Sequence, residues 1–129
     1  MISLINRRNP KPKLNCSIED IVGFYYAEAT REGIRADLAL CQALKETGFF
    51  AYGGIVVPEQ NNFCGLGVNG NNIRGESFAT PQLGVRAHIR KLLKYKKWLE
   101  LDESWATAPI VYYGEDILNL WRQALAPDG

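Results

Sequence analysis

From Asp37 to Phe50 the chain reads Asp-Leu-Ala-Leu-Cys-Gln-Ala-Leu-Lys-Glu-Thr-Gly-Phe-Phe, and between Leu38 and Leu44 six of seven residues are apolar or small. A helix written this way has almost no polar face, so it belongs in the centre of a domain. Leu38, Leu40, Cys41 and Leu44 are therefore expected in the core, and Gly48 offers the left-handed residue that stops a helix. Glu46 falls in the last turn, at the end of the helix dipole that disfavours an anion, and two phenylalanines follow it. The sequence thus predicts a carboxyl group withdrawn from water, which resists ionisation because burial disfavours the charged form. A glutamic acid in such a setting serves as a general acid near neutral pH.

The chain around this segment is 129 residues long, enough for one domain with a real core. Hydrophobic residues make up 47% and charged residues 22%, as in ordinary globular proteins. A formal charge of +1 supplies no general attraction to nucleic acid or membrane, and no apolar run reaches the length of a membrane span. Met1 to Asn15 begins apolar and then places Arg7, Arg8, Lys11 and Lys13 among prolines. That order is the reverse of a signal peptide, so the reading is either another route of export or a domain cut from a longer chain. Residues 1–15 are expected to form an extended basic arm, with the domain proper at 16–129.

Ser17 opens the next helix with Asp20 three residues on, in a capping-box-like arrangement. Ile18, Ile21, Val22, Tyr25 and Ala29 recur at helical spacing, Gly33 ends the run, and Glu28, Arg31 and Glu32 are assigned to the wet face. Residues 49–79 are rich in glycine and asparagine and read as a long loop with at most a short strand; a loop of this length in a small domain is functional or hides an element. Thr80-Pro81 starts another helix, with Leu83, Ala87, Ile89, Leu92 and Leu93 as its buried side. Arg86, Arg90, Lys91, Lys94, Lys96 and Lys97 form a solvated basic face. A last helix from about Glu115 turns Ile117, Leu118, Trp121 and Leu125 inward.

Three cysteines (Cys16, Cys41, Cys64) lie more than twenty residues apart, and the chain has one histidine, His88. This spacing lacks the close Cys/His pairs of a zinc site; the reading is three unpaired small apolar residues, with a disulfide between two of them as the alternative. One mid-helix histidine supports no Ser–His–Asp set and reads as a packed or partly exposed imidazole. Of the fourteen carboxylates, three stand apart from wet helix faces and acidic turns: Glu46, Glu59 and Glu76. A withdrawn acid beside an aromatic-lined groove suggests glycoside cleavage, although core packing is the default role of aromatic rings.

Several motifs, in order, resemble the lysozyme-like superfamily and within it the bacterial peptidoglycan N-acetylglucosaminidases of glycoside hydrolase family 73. They are Gln42-Ala43-Leu44-Lys45-Glu46-Thr47-Gly48, Pro58-Glu59-Gln60-Asn61-Asn62-Phe63-Cys64-Gly65-Leu66-Gly67, Gly75-Glu76-Ser77-Phe78-Ala79-Thr80-Pro81, and Gly84-Val85-Arg86-Ala87-His88. The closing Trp105-Ala106-Thr107 and Tyr113-Gly114 match as well, so the likeness runs from residue 17 to about 126. The resemblance implies a mainly α, lysozyme-like single domain with a much reduced β-lobe, and no metal or organic cofactor. It implies Glu46 as catalytic acid and Tyr113 at the catalytic centre, with Tyr112 as the register alternative and Glu76 as a contributory carboxylate. Asn61, Asn62, Phe63, Tyr112 and Glu59 would meet the substrate, a peptidoglycan glycan strand cut at the β-1,4 bond following N-acetylglucosamine.

The chain departs from the family in carrying Cys64 where many members have Phe, and in having almost no hairpin lobe between Gly67 and Phe78. The second carboxylate is therefore left open between Glu76, Glu59 and the substrate's own acetamido group. A lytic transglycosylase or an inactive wall-binding module are the rival readings. The domain is expected to act as a monomer at the bacterial cell wall, outside the cell or in the periplasm, with neither nucleic acid nor membrane as partner.

Overall fold

A computed structural model describes residues 1–98 and 119–125, the side chains of 94–98 excepted. Its helices are α1 (Ile2–Arg8), α2 (Ile18–Glu32), α3 (Ala36–Thr47) and α4 (Pro81–Trp98), followed by a helical segment over 119–125. No strand occurs among the described residues; between α3 and α4 the chain makes turns and one 3-10 turn at Pro58–Gln60. The mainly α, lysozyme-like architecture expected from the sequence is what the chain forms, with the β-lobe reduced to turns.

Local signals set the ends of these helices. The Ser17 side chain accepts a hydrogen bond from the Asp20 N–H at 3.0 Å, which satisfies a donor at the start of α2. Gly33 (φ 70°) and Gly48 (φ 60°) close α2 and α3 in the left-handed conformation. The Thr80 hydroxyl accepts from the Leu83 N–H at 3.2 Å at the head of α4. Leu38, Leu40, Cys41 and Leu44 are all fully buried, so α3 is the central helix. It packs on α2, which also packs on α4, while Tyr25, Phe50 and Phe63 meet edge-to-face between them.

Four expectations are corrected. The first eight residues are not an extended arm: α1 buries Leu4 and Ile5 in the core and leaves Arg7 and Arg8 in its last turn, where cations suit the helix dipole. Asn9 Nδ2 donates to the Phe49 carbonyl (2.6 Å), the Lys13 N–H to the Phe50 carbonyl (2.8 Å), and Arg8 stacks on the Phe49 ring at 4.5 Å. Second, Glu28 does not belong to the wet face of α2, since it is 1% exposed. Third, α4 buries Ile89 and Leu92 as expected but is rotated enough to bury Val85 and His88 as well, whereas Leu83 is exposed and Ala87 half-exposed. Gly84 explains the rotation, because a Cβ there would fall on the carbonyl oxygen of Asn61; only glycine lets the helix touch the loop backbone. Finally, Leu125 is exposed, while Leu120, Trp121 and Ala124 pack on the core and Trp121 donates from Nε1 to Asp37 (2.7 Å). Ile117 and Leu118 lie outside the described residues.

All three cysteines are free, as the unpaired reading has it. Burial first of all pushes each thiol up, Cys16 and Cys64 to about 11 and Cys41 to about 12, so none is a ready thiolate nucleophile.

Candidate active site

Glu46 lies in the last turn of α3, where Ala43, Leu44 and Thr47 are buried, and it is exposed. The withdrawal from water expected of it is absent among the described residues. Gly48 turns the chain left-handed, which sends Phe50 into the core and lays Phe49 against α1, both away from the carboxyl group. Glu46 instead forms part of the wall of a cavity of about 500 Å³, with Tyr52, Ile55, Asn62, Cys64 and Val68 among its other walls. The groove was expected to be aromatic; its described rim is aliphatic, with Ile55, Val68 and Ile73 exposed beside the one ring of Tyr52.

The floor after α3 is strained. Phe49 (φ 57°), Phe50 (φ 62°) and Tyr52 (φ 54°) all hold left-handed backbone without being glycine, a conformation that costs about 1–3 kcal/mol where surroundings over-determine it and that gathers at functional sites. Thr47 is the fastener here: its hydroxyl donates to the Ala43 carbonyl (2.7 Å) and accepts from the Phe50 N–H (3.0 Å). The Tyr52 hydroxyl is buried with no hydrogen-bond partner among the described residues, and burial raises its pKa well above the usual tyrosine range.

The opposite wall is the Asn61-Asn62 loop, and its amides work inward. Asn61, left-handed at φ 52°, donates from Nδ2 to the Phe78 carbonyl (3.0 Å) and accepts from Asn15 Nδ2 (3.0 Å). Asn62 donates to the carbonyls of Leu66 (2.9 Å) and Glu76 (3.0 Å) and accepts from the Leu66 N–H (3.0 Å). Both side chains are buried struts that fix the loop's shape, and Asn62 also lines the cavity. Phe63 is 2% exposed between Tyr25 and Phe50, so it braces the loop from below and does not face a substrate. Glu59 is exposed on the 3-10 turn, and neither it nor Glu76 is among the residues lining the Glu46 cavity. Glu76 folds over Gly67, where a Cβ would meet its Cγ at 2.6 Å and its Oε1 at 3.2 Å. Tyr112 and Tyr113 lie outside the described residues.

Sequence reasoning missed the polar groups beneath the site. Glu28 holds Arg86 with both carboxylate oxygens (3.0–3.2 Å) and accepts from Gln82 Nε2 at 3.3 Å. The Arg86 hydrogen bonds keep its carboxyl below the usual range, against the opposing effect of burial. His88, fully buried, lies between the Tyr25 hydroxyl (2.7 Å at Nδ1) and Gln42 Oε1 (2.6 Å at Nε2). The amide oxygen can only accept, so Nε2 carries the proton and Nδ1 accepts from Tyr25. Desolvation, aided by Lys91, lowers His88 to about 3, so it is neutral at physiological pH. Gln42 is one turn before Glu46 on α3, and the chain Tyr25–His88–Gln42 ties α2, α4 and α3 together directly beneath the cavity wall. The signal was available only in part: Gln42 and His88 were each visible, but nothing local joined them. Among the described residues no group of three or more His, Cys, Asp or Glu side chains is placed to hold a metal ion.

A helical bundle under an open cleft, with a helix-end carboxylic acid on its wall and a braced asparagine loop facing it, defines a lysozyme-like domain. A family model described as Mannosyl-glycoprotein endo-beta-N-acetylglucosaminidase matches residues 23–125, and the chain belongs to that family. It is also similar to an uncharacterized protein of Borreliella burgdorferi strain B31, with 37% identity over 78 residues that cover 60% of this chain and 38% of the other. The chain thus spans little more than a third of that relative's length. No solved structure matches it. No helix among the described residues is long and apolar enough to cross a membrane.

Proposed function

We propose that this domain hydrolyses the glycan strands of bacterial peptidoglycan at the β-1,4 bond following N-acetylglucosamine, acting as a monomer at the cell wall. The observation that carries the reading is Glu46 itself, held at the rigid end of the central helix on the wall of a cavity of about 500 Å³, within a chain of the glucosaminidase family. The exposed Glu46 carboxyl loses its water when a sugar fills the cavity, and the aliphatic rim of Ile55, Val68 and Ile73 takes the apolar faces of the rings. Desolvation on binding then favours the protonated carboxyl. Glu46 protonates the departing glycosidic oxygen, Tyr113 (or Tyr112, one register away) steadies the oxocarbenium-like centre, and the loop braced by Asn61, Asn62 and Phe63 shapes the bound strand. Neither Glu76 nor Glu59 lines the Glu46 cavity, so the substrate's own acetamido group is the source of assistance this geometry leaves to Glu46.

One observation favours a second reading, a lytic transglycosylase: Glu46 is the one carboxylate among the described residues that line its cavity, and a single acid suffices for that reaction. Reduction and mass spectrometry of digested peptidoglycan separate the cases. Reduced glucosamine ends are expected; anhydro-muramic ends would mark the transglycosylase, reduced muramic acid a muramidase, and no release a wall-binding module. Glu46→Gln should abolish nearly all turnover with an unchanged melting temperature, whereas Glu76→Gln should leave most of it. Residual activity in Glu46→Gln above about a tenth of wild type, little more than 1 kcal/mol of barrier, would refute the acid.

A further inference from the structure

The rotation of α4 that turns Leu83 and Ala87 outward creates a second hollow, of about 590 Å³, on the far side of the asparagine loop. Its floor is apolar, made by Leu66, Phe78, Leu83 and Ala87, and its helix edge carries Arg90 and Lys91. Residues 83, 87, 90 and 91 share one side of α4 through their three- and four-residue spacing, so the two cations stand over the apolar floor. Arg86 also reaches this hollow, but its guanidinium is committed to Glu28. Opposite, Gly67 forms the loop wall.

This hollow and the Glu46 cavity are separated only by the loop itself: Cys64 and Gly65 line one, Leu66 and Gly67 the other. The Cys64 thiol feels both sides, since Lys91 lowers its pKa and Glu46 raises it within a shift dominated by burial. A ligand lying over the loop from Glu46 therefore enters a site with an apolar base and two cations on one edge. Core packing does not require this arrangement, because Leu83 is 39% exposed and Arg90 is exposed.

We infer that this hollow binds the short peptide that peptidoglycan carries on alternate sugars, taking its carboxylates on Arg90 and Lys91 and its apolar side chains on Leu83 and Phe78. The inference rests on the hydrolase reading above for its substrate and adds a requirement: the domain selects glycan that still bears its peptides. The apolar floor beneath the two cations sets this site apart from a simple polyanion patch.

The test compares Arg90→Ala/Lys91→Ala with wild type on two substrates, peptide-bearing peptidoglycan and the same glycan stripped of its peptides by an amidase. The double variant is expected to lose about tenfold in kcat/KM on the peptide-bearing glycan, the sum of two modest charged contacts, and nothing on the stripped glycan. Added salt should erode the wild-type preference in the same way. Equal loss on both substrates, or no loss on either, would overturn the proposal. If wild type cleaves neither glycan, the hydrolase reading fails, and titration with a synthetic stem tetrapeptide decides the hollow by itself. Binding by wild type, weakened in the double variant and in Leu83→Ser, upholds it, whereas no tetrapeptide binding, or binding of a glycerol-phosphate polymer in its place, overturns it. Leu83→Ser, an exposed-site change, serves alone should the double variant fail to fold.

Discussion

Tyr52 combines two unfavourable features, a left-handed backbone (φ 54°) and a buried hydroxyl with no partner among the described residues. Phe49 and Phe50 beside it share the same backbone region, so this turn stores strain at the foot of the Glu46 cavity. A desolvated, unpaired polar group costs about 1–3 kcal/mol. Removing it in Tyr52→Phe keeps the ring and the turn, and should raise unfolding stability by about 1 kcal/mol in a denaturant titration. A loss of that size would show that the hydroxyl has a partner. Glu46 presents the contrasting case: the Gly48 stop and the helix-end position are local and legible in sequence, but the exposure of its carboxyl followed from where Phe49 and Phe50 went.

Among the elements, α1 departs furthest from its sequence pattern. Asn9-Pro10-Lys11-Pro12-Lys13 reads as extended and basic, yet the short apolar stretch before it supplies Leu4 and Ile5, both buried, and the chain beyond is pinned to Phe49 and Phe50. Seven residues make a marginal helix in isolation, so α1 exists because the core receives it. Ile5→Ala should accordingly cost about 2–5 kcal/mol, the usual range for a fully buried large-to-small change. A cost below about half a kcal/mol, ordinary for a surface change, would return this stretch to the status of a loose arm.

For the whole molecule, the buried polar groups joining α2, α3 and α4 make stability depend on acidity. His88 protonates near its ordinary 6.5 when unfolded but only near 3 when folded, so below pH 6.5 the unfolded chain binds more protons. Stability from this source is fully present above 6.5 and falls as the pH drops toward 3. Glu28 acts in the same direction lower down, since Arg86 holds its carboxyl below the ordinary value of 4.5 and acid removes that pairing. The melting temperature should therefore decline from pH 7 to pH 4 in wild type, and the decline between 7 and 5 should flatten in His88→Gln. The same slope in both proteins would show that His88 titrates normally in the fold.

What the sequence determined by itself is whatever depends on neighbours within one helical turn. Ser17, Gly33, Gly48 and Thr80 mark helix ends through bonds that close within four residues, and the run from Leu38 to Leu44 has no polar face wherever it lies. The mainly helical class and the position of Glu46 at a helix end follow from those signals. Tertiary structure decided which side of each helix is covered. Gly84 allows α4 to press on the Asn61 carbonyl, and that contact turns His88 inward and Leu83 outward. Glu28 is buried because Arg86, 58 residues away in sequence, meets it, and Asn61 and Asn62 bond to carbonyls on the far arm of their own loop. Burial is a property of the groups that arrive from elsewhere in the chain, and periodicity along one segment carries no record of them.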